Sequence, residues 1–569
     1  MLTDPTFISE TTSISETPVA DAAVRTPMTR RQLLRTMAAG SAALVGGAVL
    51  AACGSTGSAP TATNVTFTTA GWPFGAMPTK ADISKSSVNK AYADSLQRWL
   101  NKNPGVTIKA SSANIWDMQA LGAAVAAGTA PTWYPADVLG GWNPPLVLAA
   151  LARGLSADVT DLVSKYNIQG ELADYAAVWL QHKKVYGKYH IGPFAVNAGT
   201  GIYYRRDWLQ QAGLQDPKED WTWDDVRKYA KALTKGKVYG AGFEAWGIQQ
   251  NLGANQQGLF TTVPSPNTGW HWRYDYLSKL DEWENLVNLE RGMYFQDKSM
   301  LSQANWTGTD AIQAFSPQEK TAMMLESCIF MTQWPESATN VIQLATKYNK
   351  PIWEVVGYQI QPGGIDGAFG ASQSQMDTVA FEPHMNRNQT TLAKAFDLYY
   401  YFILGQGYID QKVALWQSTK DLHRVYDSVT PLKTSFLHLP GVPGTIEDAY
   451  GTQYVQTVLK QANIPLVPQP AWYFPPEKNA GMTNNAMSDA NNALLYSQKD
   501  IKAIYTNLQN VQNQQASTLT SSVSSTDFIS AAKQYYSAHS DFWQKYAPTF
   551  YANQFQPFYQ QKILPALGS

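Results

Sequence analysis

The stretch that most constrains this chain is residues 189–235, which reads YHIGPFAVNAGTGIYYRRDWLQQAGLQDPKEDWTWDDVRKYAKALTK. Apolar residues and glycines dominate residues 194–204, a composition typical of a buried strand that approaches other backbone closely. Residues 207–213 end in Ala-Gly and predict a short helix stopped by glycine. The stretch therefore predicts a strand followed at once by a short helix.

A second helix start lies just beyond this point. Thr222 and Asp225 have the spacing of a capping box, in which each residue hydrogen-bonds the backbone of the other. Trp221 and Val226 occupy the positions of a hydrophobic staple, and the apolar residues that follow share one face of the helix. Local structure is thus well specified over the whole stretch.

These residues resemble the signature of family 1 extracellular solute-binding proteins of ABC transporters, the carbohydrate-binding group. The matching elements are HIGP at 190–193, IYYRRDWL at 202–209, AGL at 212–214 and WTWDD at 221–225. Arg205 and Arg206 stand where Asn-Lys is commoner in the family, which we expect to affect only the surface. The resemblance covers roughly residues 62–560 and is weakest after 440.

The resemblance implies an α/β, two-lobe, periplasmic-binding-protein-like fold of type II, in which each lobe is a doubly wound sheet with helices and the ligand cleft lies between the lobes. The implied boundaries are 1–53 for an export signal and lipobox, 54–63 for a flexible tether, 64–195 and 376–440 for lobe 1, and 196–375 and 441–569 for lobe 2, with an aromatic insertion at about 255–310.

The residues themselves point the same way. A chain of 569 residues is too long for one core, so two domains are expected. A strand at 64–69, a helix face at 92–99 and a strand at 106–108 alternate as in a doubly wound lobe, with ligand loops at the strand ends. The Gln- and Ser-rich residues 508–525 are expected to form an exposed connection.

The N-terminal residues predict how the protein is exported and anchored. TRRQLLR at 29–35 resembles a twin-arginine export signal, and the apolar run 37–50 is shorter than the roughly 20 residues that span a membrane. The next residues, ending at Cys53, resemble a lipobox, so Cys53 is the expected lipidation site. An uncleaved membrane helix is the alternative reading of this run. Residues 54–63 have the composition of a flexible tether.

Composition narrows the function. A net charge of −1 gives no electrostatic case for nucleic acid. Nineteen Trp and thirty Tyr favour either a wide recognition surface or a large aromatic core. Enzyme signatures such as HExxH, GxSxG and a phosphate loop are missing from the sequence, and its seven His lack metal-ligand spacing. No catalytic residue, metal or cofactor is therefore expected. If Cys53 is lipidated, Cys328 should be a buried thiol.

A sugar has apolar C–H faces and a hydroxyl rim, so its site needs rings to stack on and planar polar side chains. Ten positions match the cleft of the family, although each could instead serve a core or a helix cap: Trp72, Trp116, Asp117, Trp142, Asn197, Glu244, Trp246, Glu326, Asp377 and Trp472. Trp72 and Trp246 are the strongest candidates, and we expect them on opposite lobes.

The leading hypothesis is a monomeric, lipid-anchored, non-catalytic receptor on the outer face of the cell membrane, or its periplasmic face if an outer membrane is present. It would close over a sugar, expected to be an oligosaccharide, and deliver it to the transmembrane subunits of an ABC permease. A secreted carbohydrate-active enzyme is the alternative, because abundant Trp would serve it equally well. An adhesin that uses the aromatic insertion is a third reading.

Overall fold

The computed structural model places residues 62–569 in one unit. The residues that it describes are 64–140, 144–197, 199–243, 257–303, 308–332, 340–362, 375–427, 429–433, 438–464, 466–468, 472–474, 485–521 and 523–568. The expected export signal, Cys53 and the tether lie outside the described residues.

The strands and helices alternate through the first two thirds of the chain, and the last third is helical. The strands are β1 (Val65–Thr69), β2 (Val106–Ala110), β3 (Trp133–Pro135), β4 (Ile191–Asn197), β5 (Thr200–Arg205), β6 (Ala241–Gly242), β7 (Thr262–Ser265), β8 (His271–Tyr274), β9 (Met300–Leu301), β10 (Met323–Ser327), β11 (Val356–Ile360) and β12 (Gln375–Phe381). The helices are α1 (Lys80–Lys85), α2 (Ser87–Lys102), α3 (Met118–Ala127), α4 (Pro144–Ala152), α5 (Thr160–Lys165), α6 (Ile168–Glu171), α7 (Asp174–His182), α8 (Arg206–Gln211), α9 (Trp223–Leu233), α10 (Gln257–Thr261), α11 (Leu280–Arg291), α12 (Gly308–Phe315), α13 (Gln343–Tyr348), α14 (Ile352–Val355), α15 (Gln389–Ile403), α16 (Gln406–Thr419), α17 (Leu422–Val425), α18 (Ile446–Tyr450), α19 (Thr452–Ala462), α20 (Asn485–Tyr496), α21 (Ile501–Ser517), α22 (Ser525–Tyr546), α23 (Pro548–Phe550), α24 (Gln556–Phe558) and α25 (Leu564–Ala566).

The first group of strands contains strands from both chain segments predicted for lobe 1, residues 64–195 and 376–440. Strands β1 and β2 pair in parallel, with Val65 opposite Val106, and β3, β12 and β4 form an antiparallel sheet in that order. The amide of Thr132, just before β3, donates to the Thr68 carbonyl at 2.9 Å and so places β1 beside the chain that enters β3. The order of neighbouring strands is therefore β2, β1, β3, β12, β4, and these five strands are here called the first sheet.

The second sheet is mixed, with strand order β11, β5, β10, β6, β9. Strand β5 pairs antiparallel with both β10 and β11, whereas β6 runs parallel to β10 and to β9. Strand β4 belongs to the first sheet and β5 to the second, and only residues 198–199 separate them. The chain thus crosses between the sheets there, and it crosses back between β11 and β12.

Glycines at these strands are required by close packing, as residues 194–204 predict. A Cβ on Gly201 would lie 2.4 Å from the Tyr358 ring and 2.7 Å from the Gln359 carbonyl oxygen. A Cβ on Gly192 would lie 2.5 Å from the Tyr399 ring. Any larger residue at either position would collide with a fully buried tyrosine.

The predicted capping box at α9 is confirmed. The Asp225 amide donates to the Thr222 hydroxyl at 3.2 Å, and the Thr222 amide donates to the Asp225 carboxylate at 2.9 Å. The buried face of the helix includes Val226 and Ala230, which are fully inaccessible to solvent. The predicted short helix is α8, and Gly213 follows it with φ of 72°. The expectation that Arg205 affects only the surface is wrong, because its side chain is fully buried and forms ion pairs with Asp207 and Glu319.

The insertion and the chain end pack on one another. Residues 257–291 and the described residues from 466 to 568, here called the C-terminal module, share two aromatic cores. One is centred on Phe260, Phe528 and Trp543, and the other on Trp283 and Tyr505. The expectation of an exposed connection at 508–525 is wrong up to residue 517, because α21 runs to Ser517 and buries Leu508, Gln512 and Ala516 at helical spacing.

Cys328 is buried, as predicted. Among the described helices, none is both long enough and apolar enough to cross a membrane.

Candidate functional site

The loop after β1 presents an aromatic ring. The Gly71 amide donates to the Thr69 hydroxyl at 3.1 Å, which in turn donates to the Phe74 carbonyl at 2.6 Å. Gly71 has φ of 91°, a conformation that favours glycine, and the resulting turn carries Trp72. The Trp72 ring lies 5.0 Å from that of Phe194, on β4. This contact between aromatic rings joins the loop after β1 to β4.

Trp116 completes this aromatic group. Its ring meets that of Trp72 edge to face, with centroids 6.1 Å apart, and it remains 48% exposed. The Asn114 side chain accepts a hydrogen bond from the Trp116 amide at 3.1 Å and fixes the turn. Trp72, Trp116 and Phe194 are here called the aromatic triad. Within the triad the Trp116 ring is exposed, and the Trp72 and Phe194 rings are half-buried.

Asp117 has a local role in the structure. Its carboxylate accepts a hydrogen bond from the Ala120 amide at 2.7 Å and caps the N-terminus of α3. Helix α3 therefore begins two residues after the exposed Trp116. Of the readings that the sequence left open, a helix cap is therefore the one with a contact to support it.

Asn197 joins the two sheets at the crossover. Its side-chain oxygen accepts hydrogen bonds from the Ser327 hydroxyl at 2.8 Å and from the Gly199 amide at 3.3 Å. Ser327 ends β10 of the second sheet, so this contact spans the sheets. Glu326 precedes Ser327, is half-buried, and lies opposite Gly201 in the strand register.

Asp377 lies on β12, opposite Ala195 of β4 and so beside Phe194 of the aromatic triad. It is half-buried. The triad, Asn197 and Asp377 therefore all belong to the crossover end of the first sheet, where β4 leaves and β12 enters. Aromatic rings and planar hydrogen-bonding groups thus occur at the same end of the sheet, and a polyhydroxylated ligand requires both.

A charged pair supports this edge and was not anticipated from the sequence. The Lys183 ammonium donates to the Met376 carbonyl at 3.0 Å and lies 3.4 Å from an Asp137 carboxylate oxygen. The other oxygen of Asp137 accepts from the Thr378 amide at 3.1 Å. Both residues thus fix the start of β12 on either side of Asp377. Sequence spacing carries no signal for Lys183, since its partners lie 46 and 193 residues away.

Trp472 stacks on a residue that the sequence did not single out. Its ring lies 3.9 Å from the His182 ring at an interplanar angle of 14°. His182 ends α7 and precedes Lys183, so the stack lies next to the charged pair. Burial lowers the pKa of His182, which favours the neutral imidazole.

Three of the ten expected residues, Trp142, Glu244 and Trp246, lie outside the described residues, so the placement of Trp72 and Trp246 on opposite lobes stays a prediction. Within the part of the chain that is described, no group of three or more His, Cys, Asp or Glu side chains could hold a metal ion.

A family model described as bacterial extracellular solute-binding protein matches residues 91–414, more than half of the chain. Comparison with curated protein sequences finds no match.

Solved structures show the same fold at low identity. An ABC substrate-binding protein from Listeria monocytogenes, solved with cycloalternan, has a TM-score of 0.51 and 14% identity, over 75% of this chain and 95% of that one. A solute-binding protein from Agrobacterium radiobacter K84, solved with ribitol, has 0.52 and 15%, over 80% and 99%. One from Agrobacterium vitis S4, solved with D-mannitol, has 0.50 and 17%, over 79% and 98%. The α/β two-lobe fold expected from the sequence is confirmed.

Proposed function

The chain belongs to the bacterial extracellular solute-binding protein family, and from this we propose that it is the receptor of an ABC importer for a carbohydrate, expected to be an oligosaccharide. It would bind its ligand between the two lobes and present the closed form to the transmembrane subunits of the permease. The family is extracellular, so the protein acts outside the cytoplasm.

The aromatic triad is the observation that carries the proposal. A half-exposed Trp116, set edge-on to Trp72, offers a flat face for the C–H side of a sugar ring. Asp377 and Asn197 stand at the same end of the sheet, where their planar groups can pair with ligand hydroxyls. The ligands named for the three solved structures, cycloalternan, ribitol and D-mannitol, are all polyhydroxylated, which supports a ligand of this chemistry.

The proposed lobes exchange chain segments. Lobe 1 would comprise residues 64–195 and 376–440, and lobe 2 residues 196–375 and 441–569. The short link at 198–199 and the return between β11 and β12 would be the segments about which the lobes close. A ligand that contacts both lobes would then stabilise the closed state by those extra contacts.

The proposed anchor is a lipid on Cys53, and the tether at 54–63 follows it in the sequence. The twin-arginine signal at 29–35 would direct export of the protein. Two acyl chains would hold the receptor beside its permease while the tether lets it move. We further propose that the protein is a monomer and does not turn over its ligand.

A thermal-shift screen tests the ligand class. The full chain with Cys53→Ser would be screened against cycloalternan, D-mannitol, ribitol and linear oligosaccharides, with amino acids and peptides as controls. A ligand at about 100 times its Kd adds about 2.7 kcal/mol to the free energy of unfolding, so a true ligand raises the melting temperature clearly.

Shifts with amino acids or peptides and none with sugars would contradict the carbohydrate proposal. Recovery of the bound sugar would decide the remaining alternative: an unchanged sugar supports a receptor, and a cleaved or modified sugar would make the protein a carbohydrate-active enzyme.

A further inference from the structure

The stacked pair of Trp472 and His182 joins the C-terminal module to helix α7. Trp472 belongs to the C-terminal module, whose core anchors the residues that follow it. Tyr473 packs on Tyr535 at 5.7 Å, and Phe474 packs on Trp272 at 5.3 Å and is almost wholly buried. The Trp472 ring is therefore held by the module.

The module in turn rests on the second sheet. Leu286 and Leu289 of α11 pack against the core that contains Val226 and Leu233 of α9 and Leu325 of β10. That core belongs to the sheet formed by β11, β5, β10, β6 and β9. The module should consequently move with the second sheet.

The other half of the stack is fixed to the first sheet. Helix α7 packs against β12, and it buries Trp179 and Leu180 in a core that also contains Met376 and Val379 of β12. Lys183, directly after His182, binds the Met376 carbonyl and Asp137. His182 thus belongs to the part of the molecule that carries the aromatic triad and Asp377.

We propose that His182 and Trp472 form a latch that fastens the C-terminal module to the first lobe and so governs how fast a ligand leaves the cleft. This rests on the proposed function. The two rings lie face to face at 3.9 Å, a geometry that offset aromatic pairs adopt, and each is half-buried. His182 acts as a positioning residue for the Trp472 ring, which then resists separation of the two sheets. Since a stacked pair contributes modestly, its loss should speed ligand release by about 2- to 12-fold.

The latch can be tested without a ligand, using spin labels on the full chain with Cys53→Ser. Labels at Val178→Cys on α7 and Gln534→Cys on α22 report the distance between the two parts, and Cys328 is buried away from the reagent. Trp472→Ala and His182→Ala should each broaden and lengthen the distance distribution. His182→Phe should restore it because a flat ring can still stack. Tyr186→Ala removes an exposed ring near His182 and should change nothing.

Identical distributions in wild type, Trp472→Ala and His182→Ala would overturn the latch, as would an effect that His182→Phe fails to rescue. For each of cycloalternan, D-mannitol and ribitol that binds the wild type, the dissociation rate should rise in both alanine variants while the melting temperature without ligand changes little. If the wild type binds none of them and no other sugar, the carbohydrate proposal fails, and the latch is decided by the distances.

Discussion

Exposed rings distinguish a binding site from a core at the scale of single residues. Trp116→Ala should weaken sugar binding by roughly 1–3 kcal/mol and leave the melting temperature nearly unchanged, because the ring is half-exposed. Trp133→Ala is the matched control. Its ring is fully buried and packs on Phe67 and Phe74, so that change should cost about 3–5 kcal/mol of stability. Calorimetric titration and thermal melts on both variants make the comparison, and similar losses of stability would place Trp116 in the core.

Glu290 gives the molecule a specific pH dependence. It is 1% exposed, neither carboxylate oxygen has a hydrogen-bond partner among the described residues, and burial raises its pKa well above the usual range. The folded protein must keep this group protonated, so its contribution to stability is most favourable below the ordinary glutamate pKa and falls as pH rises towards the raised value. Glu290→Gln should therefore match wild type near pH 4 and exceed its melting temperature at pH 8. Glu284→Gln, partly exposed on the same helix, is the control, and parallel pH curves for wild type and Glu290→Gln would contradict the expectation.

The candidate site was only partly predictable at this scale. Trp72 and Trp116 could be found because each stands in a loop beside a recognisable strand or helix start. Phe194 lies within an apolar strand. Alternation along a strand predicts which face of the sheet a residue occupies, but it does not predict which residue it contacts. The roles of His182 and Lys183 could not be predicted from the sequence, because the residues that they contact lie far away along the chain.

At the scale of elements, the capping box of α9 should control how well that helix is held. Thr222→Ala removes the acceptor for the Asp225 amide and should destabilise the protein by about 0.5–2 kcal/mol, measured by urea unfolding. Thr79→Ala removes an equivalent box on α1, a helix without buried residues, and should cost less. Equal losses in the two variants would show that the packing of α9 adds nothing to the cap.

The hydrogen bonds of that box also lower the pKa of Asp225, chiefly through the Thr222 backbone amide. This contribution is present above the ordinary aspartate pKa and is lost as pH falls through the lowered value.

Elements with strong local chemistry were predictable and those set by tertiary packing were not. The helix at 223–233 follows from its cap and its apolar face. Helix α21 is polar in composition, and its buried stripe includes Gln512, whose side chain accepts a hydrogen bond from the Tyr276 hydroxyl at 2.6 Å. That partner lies 236 residues away in the sequence, so its contact could not be predicted. The Gln-rich composition alone therefore led to the wrong expectation of an exposed connection.

At the scale of the whole molecule, the family resemblance predicted the two-lobe fold because the matching residues 189–235 include the link between β4 and β5. The same motif says nothing about the C-terminal module, whose aromatic cores join residues 257–291 to the chain end. Such pairing depends on contacts between segments more than 200 residues apart, which periodicity cannot reveal.

The anchor is tested on the intact protein. Wild type should partition into detergent and carry a lipid on Cys53, because two acyl chains give stable membrane binding. Cys53→Ser should be released or stall in processing, while Cys328→Ser, a change at the buried thiol, should remain anchored. Mass spectrometry of the mature N-terminus makes the measurement, and an unmodified wild-type Cys53 would contradict the proposal.

A carbohydrate that binds between the two lobes should close them. Small-angle X-ray scattering on the full chain with Cys53→Ser, with and without a saturating amount of the sugar that gives the largest thermal shift, tests it most directly. Closure of the lobes should give a smaller radius of gyration with the sugar and no change with a sugar that gives no shift. An unchanged radius at saturation would contradict it.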